Sequence, residues 1–180
     1  MKKTMLRATV GASALALTLF SSAYAAQADT AAPQATQAQS TQSAKSAAVL
    51  AKMSHSAAVA QLSGAGIGVS SSGGCSDRNN PTCTSLEQVN SATIQGAITL
   101  KNASGCGLTV TGGTETGHAS GTYSHWNGYK LDFSMTSCLS NYVKNTFTSI
   151  GGSKWRSGSG NIYYDEGNHW DVTYYNCGGC

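Results

Sequence analysis

Six cysteines, at positions 75, 83, 106, 138, 177 and 180, constrain the fold of this 180-residue chain more than any other feature. All lie in the C-terminal part, after a segment that reads as an export signal. An even cysteine count in an exported chain points to a small domain stapled by disulfides rather than one held by a large core. The expected pairs are a local Cys75–Cys83 bridge and a Cys106–Cys138 bridge tying helical parts to the sheet. Cys177 and Cys180 pair with each other or with a cysteine upstream. Cys177-Gly178-Gly179-Cys180 has CxxC spacing, but a thiolate metal site needs a second such pair, and the sequence has none.

The export signal consists of Lys2, Lys3 and Arg7, an apolar stretch over residues 8 to 20 and the small-x-small site Ala23-Tyr24-Ala25, with cleavage after Ala25. The apolar stretch is too short to span a bilayer. The expected location is the periplasm or the medium, with no stable membrane insertion once residues 1 to 25 are removed. The formal charge of +3 comes from 11 basic and 8 acidic residues, and three of the basic ones lie in the signal. The remaining chain is formally neutral and has no basic stripe, which argues against nucleic acid as a partner.

Residues 26 to 72 are rich in Ala, Gln, Ser, Thr and Gly and contain no aromatic residue. Such a stretch buries too little apolar surface to offset its ordering entropy and reads as a low-complexity linker or a propeptide. Within it, residues 43 to 62 have helix-forming composition, and His55 reads as a solvated residue. The compact domain is expected over residues 73 to 180. A helix capped by Thr84 or Ser85, with Glu87 or Gln88 completing a capping box, carries Leu86, Val89, Ile94 and Ile98 to a stop near Gly105. Leu108 to Thr111 alternates as a strand, and residues 129 to 135 alternate with Leu131 and Phe133 on one side and Asp132 on the other. Residues 137 to 150 read as a helix. Residues 162 to 164 and 169 to 175 read as strands, with His169 and Asp171 opposite Trp170 and Val172. The fold class is α+β, a small antiparallel sheet with flanking helices, disulfide-stabilised, with a site at one end of the sheet.

Two segments carry the chemistry. His125 and Asp132 are seven apart, which suits one ligand in a loop and one on the strand it enters, with Gly128 permitting the turn. Glu166 precedes His169 by three residues. Two imidazoles and a carboxylate can hold one Zn2+ with a position left open, and a second carboxylate can serve as base. His125-x-x-Gly128-x-x-x-Asp132 followed by Glu166-x-x-His169 resembles the M15-type zinc peptidases, the D-alanyl-D-alanine carboxypeptidases and L-alanyl-D-glutamate endopeptidases that cut peptidoglycan peptides. The resemblance covers roughly residues 84 to 176. It implies that His125, Asp132 and His169 bind zinc and that Glu166 is the general base. Tyr123 stands where the family usually has a Ser, and the turn Thr111-Gly112-Gly113-Thr114-Glu115 lacks the family's Arg. His118 is the expected substitute, as a contact to substrate or transition state, and Asp171 is expected to orient a ligand imidazole.

The expected function is therefore zinc-dependent hydrolysis of peptide bonds in peptidoglycan stem peptides, as D,D-carboxypeptidase or endopeptidase, by a monomer. The alternative is a non-catalytic cell-wall or surface binding module that keeps the fold and uses Trp126, Tyr129, Trp155, Tyr163 and Tyr164 as its surface. The same chemistry also suits a secreted effector attacking another cell's wall.

Overall fold

The two best-alternating segments, residues 130 to 134 and 169 to 173, lie side by side at the middle of the molecule. The computed structural model describes residues 51–175. The expected signal, residues 26 to 50, and Cys177 and Cys180 lie outside the described residues. In chain order the elements are β1 (Lys52–Met53), α1 (His55–Gly64), β2 (Ile67–Val69), β3 (Val89–Asn90), α2 (Ser91–Ser104), β4 (Leu108–Gly112), β5 (Lys130–Ser134), α3 (Ser137–Thr146), β6 (Thr148–Gly151), β7 (Lys154–Arg156), β8 (Ile162–Asp165) and β9 (His169–Thr173). The architecture is α+β.

The main sheet is neither small nor purely antiparallel. It has seven strands in the order β2-β4-β5-β9-β8-β7-β6, and a separate two-stranded sheet pairs β1 with β3. β2 runs parallel to β4, and every other neighbour in the large sheet is antiparallel. A parallel pair needs a crossover, which α2 provides between β2 and β4. At the other edge, β6 and β7 form a hairpin that helical periodicity had claimed in part. α3 ends at Thr146, Phe147 turns extended (φ −100°, ψ 158°), and Ile150 lies on β6, exposed.

The domain also begins earlier than Gly73. Ala58, Leu62 and Ile67 are buried in the same core as Ile94, Leu100, Leu108, Val110, Phe133, Leu139 and Trp170. Residues 51 to 72 make no core of their own; they cover one supplied by α2 and the sheet, which small aliphatic residues can do without aromatic help. His55 is likewise not simply solvated, since its Nδ1 accepts from the Leu86 N–H at 3.0 Å.

That contact helps explain why no helix starts at Thr84 or Ser85. The Leu86 N–H is taken by His55, the Ser85 N–H by Glu115, and the Glu87 carboxylate by the His55 N–H, while Gln88 sits at φ +64°. The helix starts at Ser91 and ends as expected at Gly105 in the left-handed region. The two expected disulfides are formed: Cys75–Cys83 closes a surface loop, and Cys106–Cys138 ties the link between α2 and β4 to the first turn of α3. Among the described residues no helix is long and apolar enough to cross a membrane.

Candidate functional site

β5 and β9 pair with Asp132 opposite Asp171, Phe133 opposite Trp170 and Ser134 opposite His169. The pleat therefore sends Leu131, Phe133, Trp170 and Val172 into the core and sets Asp132, Asp171 and His169 on the other face. The site lies across this face of the central strands, not at one end of the sheet. On the far side of β5, Gly112 of β4 stands opposite Asp132, next to a register shift between Val110 and Gly112. A Cβ at position 112 would collide with the Asp132 carboxylate, so glycine is what lets β4 pass.

The loop from β4 to β5 folds back over this face and brings His118 and His125. Ser124 begins the turn: its Oγ accepts from the Asn127 N–H at 3.2 Å, its carbonyl accepts from the Tyr129 N–H at 3.1 Å, and the His125 carbonyl accepts from the Gly128 N–H at 2.7 Å. Gly128 has φ +78°, and a Cβ there would lie 2.6 Å from the Gln88 carbonyl oxygen, so the turn requires glycine as expected. Beyond β8, Glu166 and His169 meet across a tight turn in which the Asp165 carboxylate accepts from the Gly167 N–H at 3.0 Å.

The side chains converge on Asp132, which is only 5% exposed. His125 Nε2 lies 3.3 Å and His169 Nε2 3.5 Å from Asp132 Oδ1, and His118 Nδ1 lies 3.8 Å from Oδ2. Asp132 Oδ1 is buried and has no hydrogen-bond partner. His118, His125 and Asp132 present ligand atoms all within 4.8 Å of one another and can hold a metal ion. Donors bonded at about 2.0–2.2 Å around a tetrahedral ion stand roughly 3.3–3.6 Å apart, which matches the His125–Asp132 and His169–Asp132 separations. A buried carboxylate oxygen without a donor, facing imidazole nitrogens at that spacing, fits a cation.

Glu166 borders the group, its Oε2 3.2 Å from His169 Nε2. Of the sequence-predicted residues, His118, His125 and Asp132 lie within mutual ligand reach, whereas His169 approaches Asp132 from beside that group and Glu166 stands next to His169 at the rim. The role expected of Asp171 is filled otherwise. The far nitrogen of His125, Nδ1, is held at 2.7 Å by the Gly113 carbonyl, whereas Asp171 Oδ2 pairs with Lys130 at 2.6 Å and lies 3.9 Å from Nε2.

Electrostatics follow from this packing. Burial alone would depress the His125 imidazole, but the carboxylates of Asp132 and Asp171 outweigh it and raise its pKa from 6.5 to about 9. Burial pushes Asp171 up, and His125 and Lys130 more than reverse that, leaving it below its ordinary value. Glu115 was missed by sequence reasoning. Only 3% exposed, it accepts from the backbone N–H of Ser85 (2.7 Å) and Gly113 (3.0 Å) and pairs with His118 Nε2 at 3.2 Å. Burial raises its pKa, but His118 and these N–H groups lower it further. Its only sequence signal is an acidic residue three before a histidine in a Gly/Thr-rich turn.

The aromatic set Trp126, Tyr129, Trp155, Tyr163 and Tyr164 does not form one surface. Tyr163 is buried against Phe147, and Trp155 packs edge-on against Trp170. The exposed aromatics near the site are Tyr123, Trp126 and Tyr175. The Arg78 guanidinium stacks 3.7 Å over Trp126 and donates to the Trp126 and Thr114 carbonyls.

No protein-family model matches the chain, and searches of curated proteins and of solved structures likewise return no match.

Proposed function

We propose that the chain is a zinc-dependent hydrolase of peptide bonds in bacterial peptidoglycan stem peptides, acting as a D,D-carboxypeptidase or an endopeptidase. One observation carries the reading: the buried, unpartnered Oδ1 of Asp132 faces Nε2 of both His125 and His169 at ligand spacing, with the Glu166 carboxylate beside His169. Neutral imidazole and carboxylate donors without thiolate suit zinc in a catalytic setting. Zinc there supplies Lewis acidity to a peptide carbonyl and to a water molecule.

The protein's own groups do the rest. Gly113 and Asn168 hold the far nitrogens of His125 and His169, each at 2.7 Å, which fixes both rings with Nε2 toward Asp132. Glu166, at the rim and partly exposed, accepts a proton from the attacking water and returns it to the leaving amine. The wall-peptide substrate rests on the order His125, Gly128, Asp132, Glu166 and His169, which resembles that of the zinc peptidases named above. An oxidising location outside the cytoplasm agrees with two disulfides.

The test is digestion of purified peptidoglycan with and without chelator, with products read by mass spectrometry. Loss of a terminal D-Ala or a cut within the stem peptide, stopped by chelator and restored by zinc, is the expected result. Intact stem peptides with a folded, zinc-loaded protein would reject the reading and favour the binding module.

A further inference from the structure

Among the described residues the exposed large apolar side chains are Tyr123, Trp126, Ile150 and Tyr175, and all but Ile150 gather at the loop from β4 to β5. Exposed aromatic surface gathered in one place marks a contact site. Trp126 is 43% exposed and yet is fixed. The Arg78 guanidinium lies 3.7 Å over one face of the indole and donates to the Trp126 carbonyl, and Arg78 Nε donates to the Thr114 carbonyl at 3.2 Å. The Arg78 carbonyl in turn accepts from the Thr116 N–H at 2.9 Å. Arg78 sits on the loop closed by the Cys75–Cys83 bridge, so this clamp is itself anchored. One face of the ring is covered by a cation, and the opposite face stays open.

The indole borders a cavity of about 270 Å³ that runs back to Glu115 and His118. No aliphatic side chain larger than Ala119 lines it, so an apolar ligand finds little to bury against. No lysine, arginine or unpaired carboxylate lines it either, since Glu115 is held by the Ser85 and Gly113 N–H groups and by His118. Thr116, Ser120 and Asn127 supply polar walls. Asn127 Nδ2 donates to the Gly121 and Thr122 carbonyls at 2.8 and 3.2 Å, which shapes the loop before any ligand arrives. Asn127 Oδ1 and the hydroxyls of Thr116 and Ser120 have no partner among the described residues. A flat, immobile aromatic beside uncharged donors and acceptors suits a ligand with an apolar C–H face and a polar rim, which describes a sugar ring.

We propose that this cavity holds one ring of a polysaccharide, stacked on the open face of Trp126, and that the polymer is the acetamido-sugar glycan of the bacterial wall. The sugar chemistry stands on the cavity alone. The choice of the wall glycan rests on the function proposed above, because the stem peptides are attached to that glycan. Tyr123 gives a chain a second place to stack: it lies three residues before Trp126, is 45% exposed and is held edge-on by Tyr129 and Tyr175 at 5.0 and 4.7 Å. His118 walls the same cavity and lies 3.8 Å from Asp132, so a ring bound here sits next to the group proposed to cut the peptide.

The test is calorimetric titration of the full chain, kept metal-free by chelator, with chitotetraose, a linear acetamido-sugar oligomer. Saturable binding is expected in the wild-type protein. It should be roughly 10-fold weaker in Trp126→Ala, the scale of one aromatic stack, and within a few-fold of wild type in Trp126→Tyr, which keeps a flat ring. Thermal unfolding checks that both variants are folded. No binding by the folded wild-type protein, or equal binding by Trp126→Ala, would overturn the sugar site. Equal affinity for cellotetraose, which lacks the acetamido groups, would overturn the wall glycan as the source. A free stem pentapeptide that needs Trp126 for binding, where chitotetraose does not bind, would overturn the sugar in favour of a peptide pocket. Because chelator is present throughout, failed digestion of stem peptides leaves these outcomes unchanged, and failed sugar binding leaves the metal site standing.

Discussion

The two faces of β5 and β9 are buried almost equally but by opposite means. On one, Phe133 and Trp170 are completely covered, packed with Leu139, Val143, Leu131 and Val172. On the other, Asp132 and Asp171 are 5% and 7% exposed and are covered by imidazoles and Lys130. Burial of the first face stabilises by roughly 25 cal/mol per Å² of apolar surface. Burial of the second takes charges out of water and leaves Oδ1 of both aspartates without a hydrogen-bond donor. A fold selected only for stability would fill the second face with apolar residues too. That it does not do so agrees with the metal site proposed above, since a bound cation would repair these deficits.

One change on each face, Glu166 at the rim of the polar one and Phe133 in the middle of the apolar one, tests the contrast most severely. Glu166→Gln should lower the peptidase rate by about 10²–10⁴-fold while zinc content and stability stay unchanged; steady-state turnover with metal analysis checks it, and full activity with bound zinc removes Glu166 as base. Phe133→Ala should do the reverse in kind, lowering stability by about 3–5 kcal/mol through the cavity it leaves. Chemical denaturation of the metal-free protein reads this, and a loss below about 1 kcal/mol would mean the apolar face is not what holds the strands together.

How much of this was legible in the sequence follows the same division. The apolar face was, because Leu131, Phe133, Trp170 and Val172 alternate with polar residues at the period of a strand. The site residues were legible as types at spacings: His125 with Asp132, Glu166 with His169. Their convergence depends on β5 pairing with β9, a contact between residues about forty positions apart that local pattern cannot specify. Helix-forming composition over residues 43 to 62 anticipated part of α1, but two-residue and three-residue strands such as β1 and β2 are too short to show a period, so the packing of residues 51 to 72 against the core was not legible. Thr84 or Ser85 with Glu87 or Gln88 three residues later reads as a capping box because the rule is local, whereas the groups that claim the Glu87 carboxylate and the Ser85 N–H, His55 and Glu115, arrive from elsewhere in the chain. The acceptor that fixes His125 is a backbone carbonyl, which no sequence pattern marks.

The polar face should also betray itself by its response to pH. His125 has a pKa near 9 when folded against 6.5 for an ordinary imidazole. Because the folded value is the higher one, its contribution to stability is complete below about pH 6.5 and is lost as pH rises through about 9. The loss is on the order of 3 kcal/mol. In the metal-free protein the urea midpoint should fall between pH 6 and pH 9, and His125→Gln should flatten that slope. A slope unchanged by the substitution would mean that the carboxylates do not hold a proton on His125.

Adding zinc gives the next effect in size. Zinc at about 100 times its dissociation constant should stabilise the folded chain by about 2.7 kcal/mol. Asp132→Asn, which keeps the side-chain volume but removes the charge, should abolish most of this gain. Thermal unfolding with and without zinc reads the difference, and equal gains in both proteins would place the ion elsewhere.

The smallest effect belongs to an ion pair outside both faces. Lys144 Nζ lies 2.9 Å from Asp165 Oδ2, closer than any imidazole lies to Asp132, yet the lysine side chain is 44% exposed. Solvent screens such a pair and side-chain entropy opposes it, so Lys144→Ala should change stability by only about 0–1 kcal/mol despite the short contact. The lysine also stands over the rings of Trp155 and Trp170, at 5.4 and 5.7 Å from their centroids, so a loss near the upper end would reflect that cover more than the ion pair. Asp165→Asn separates the two, since it removes the pair and keeps the lysine over the rings. Urea unfolding of both variants at low and high salt decides. Losses above about 1 kcal/mol that vanish in high salt would show that charge pairs count as much at this surface as in the Asp132 cluster, and the contrast between buried and exposed charge would then fail.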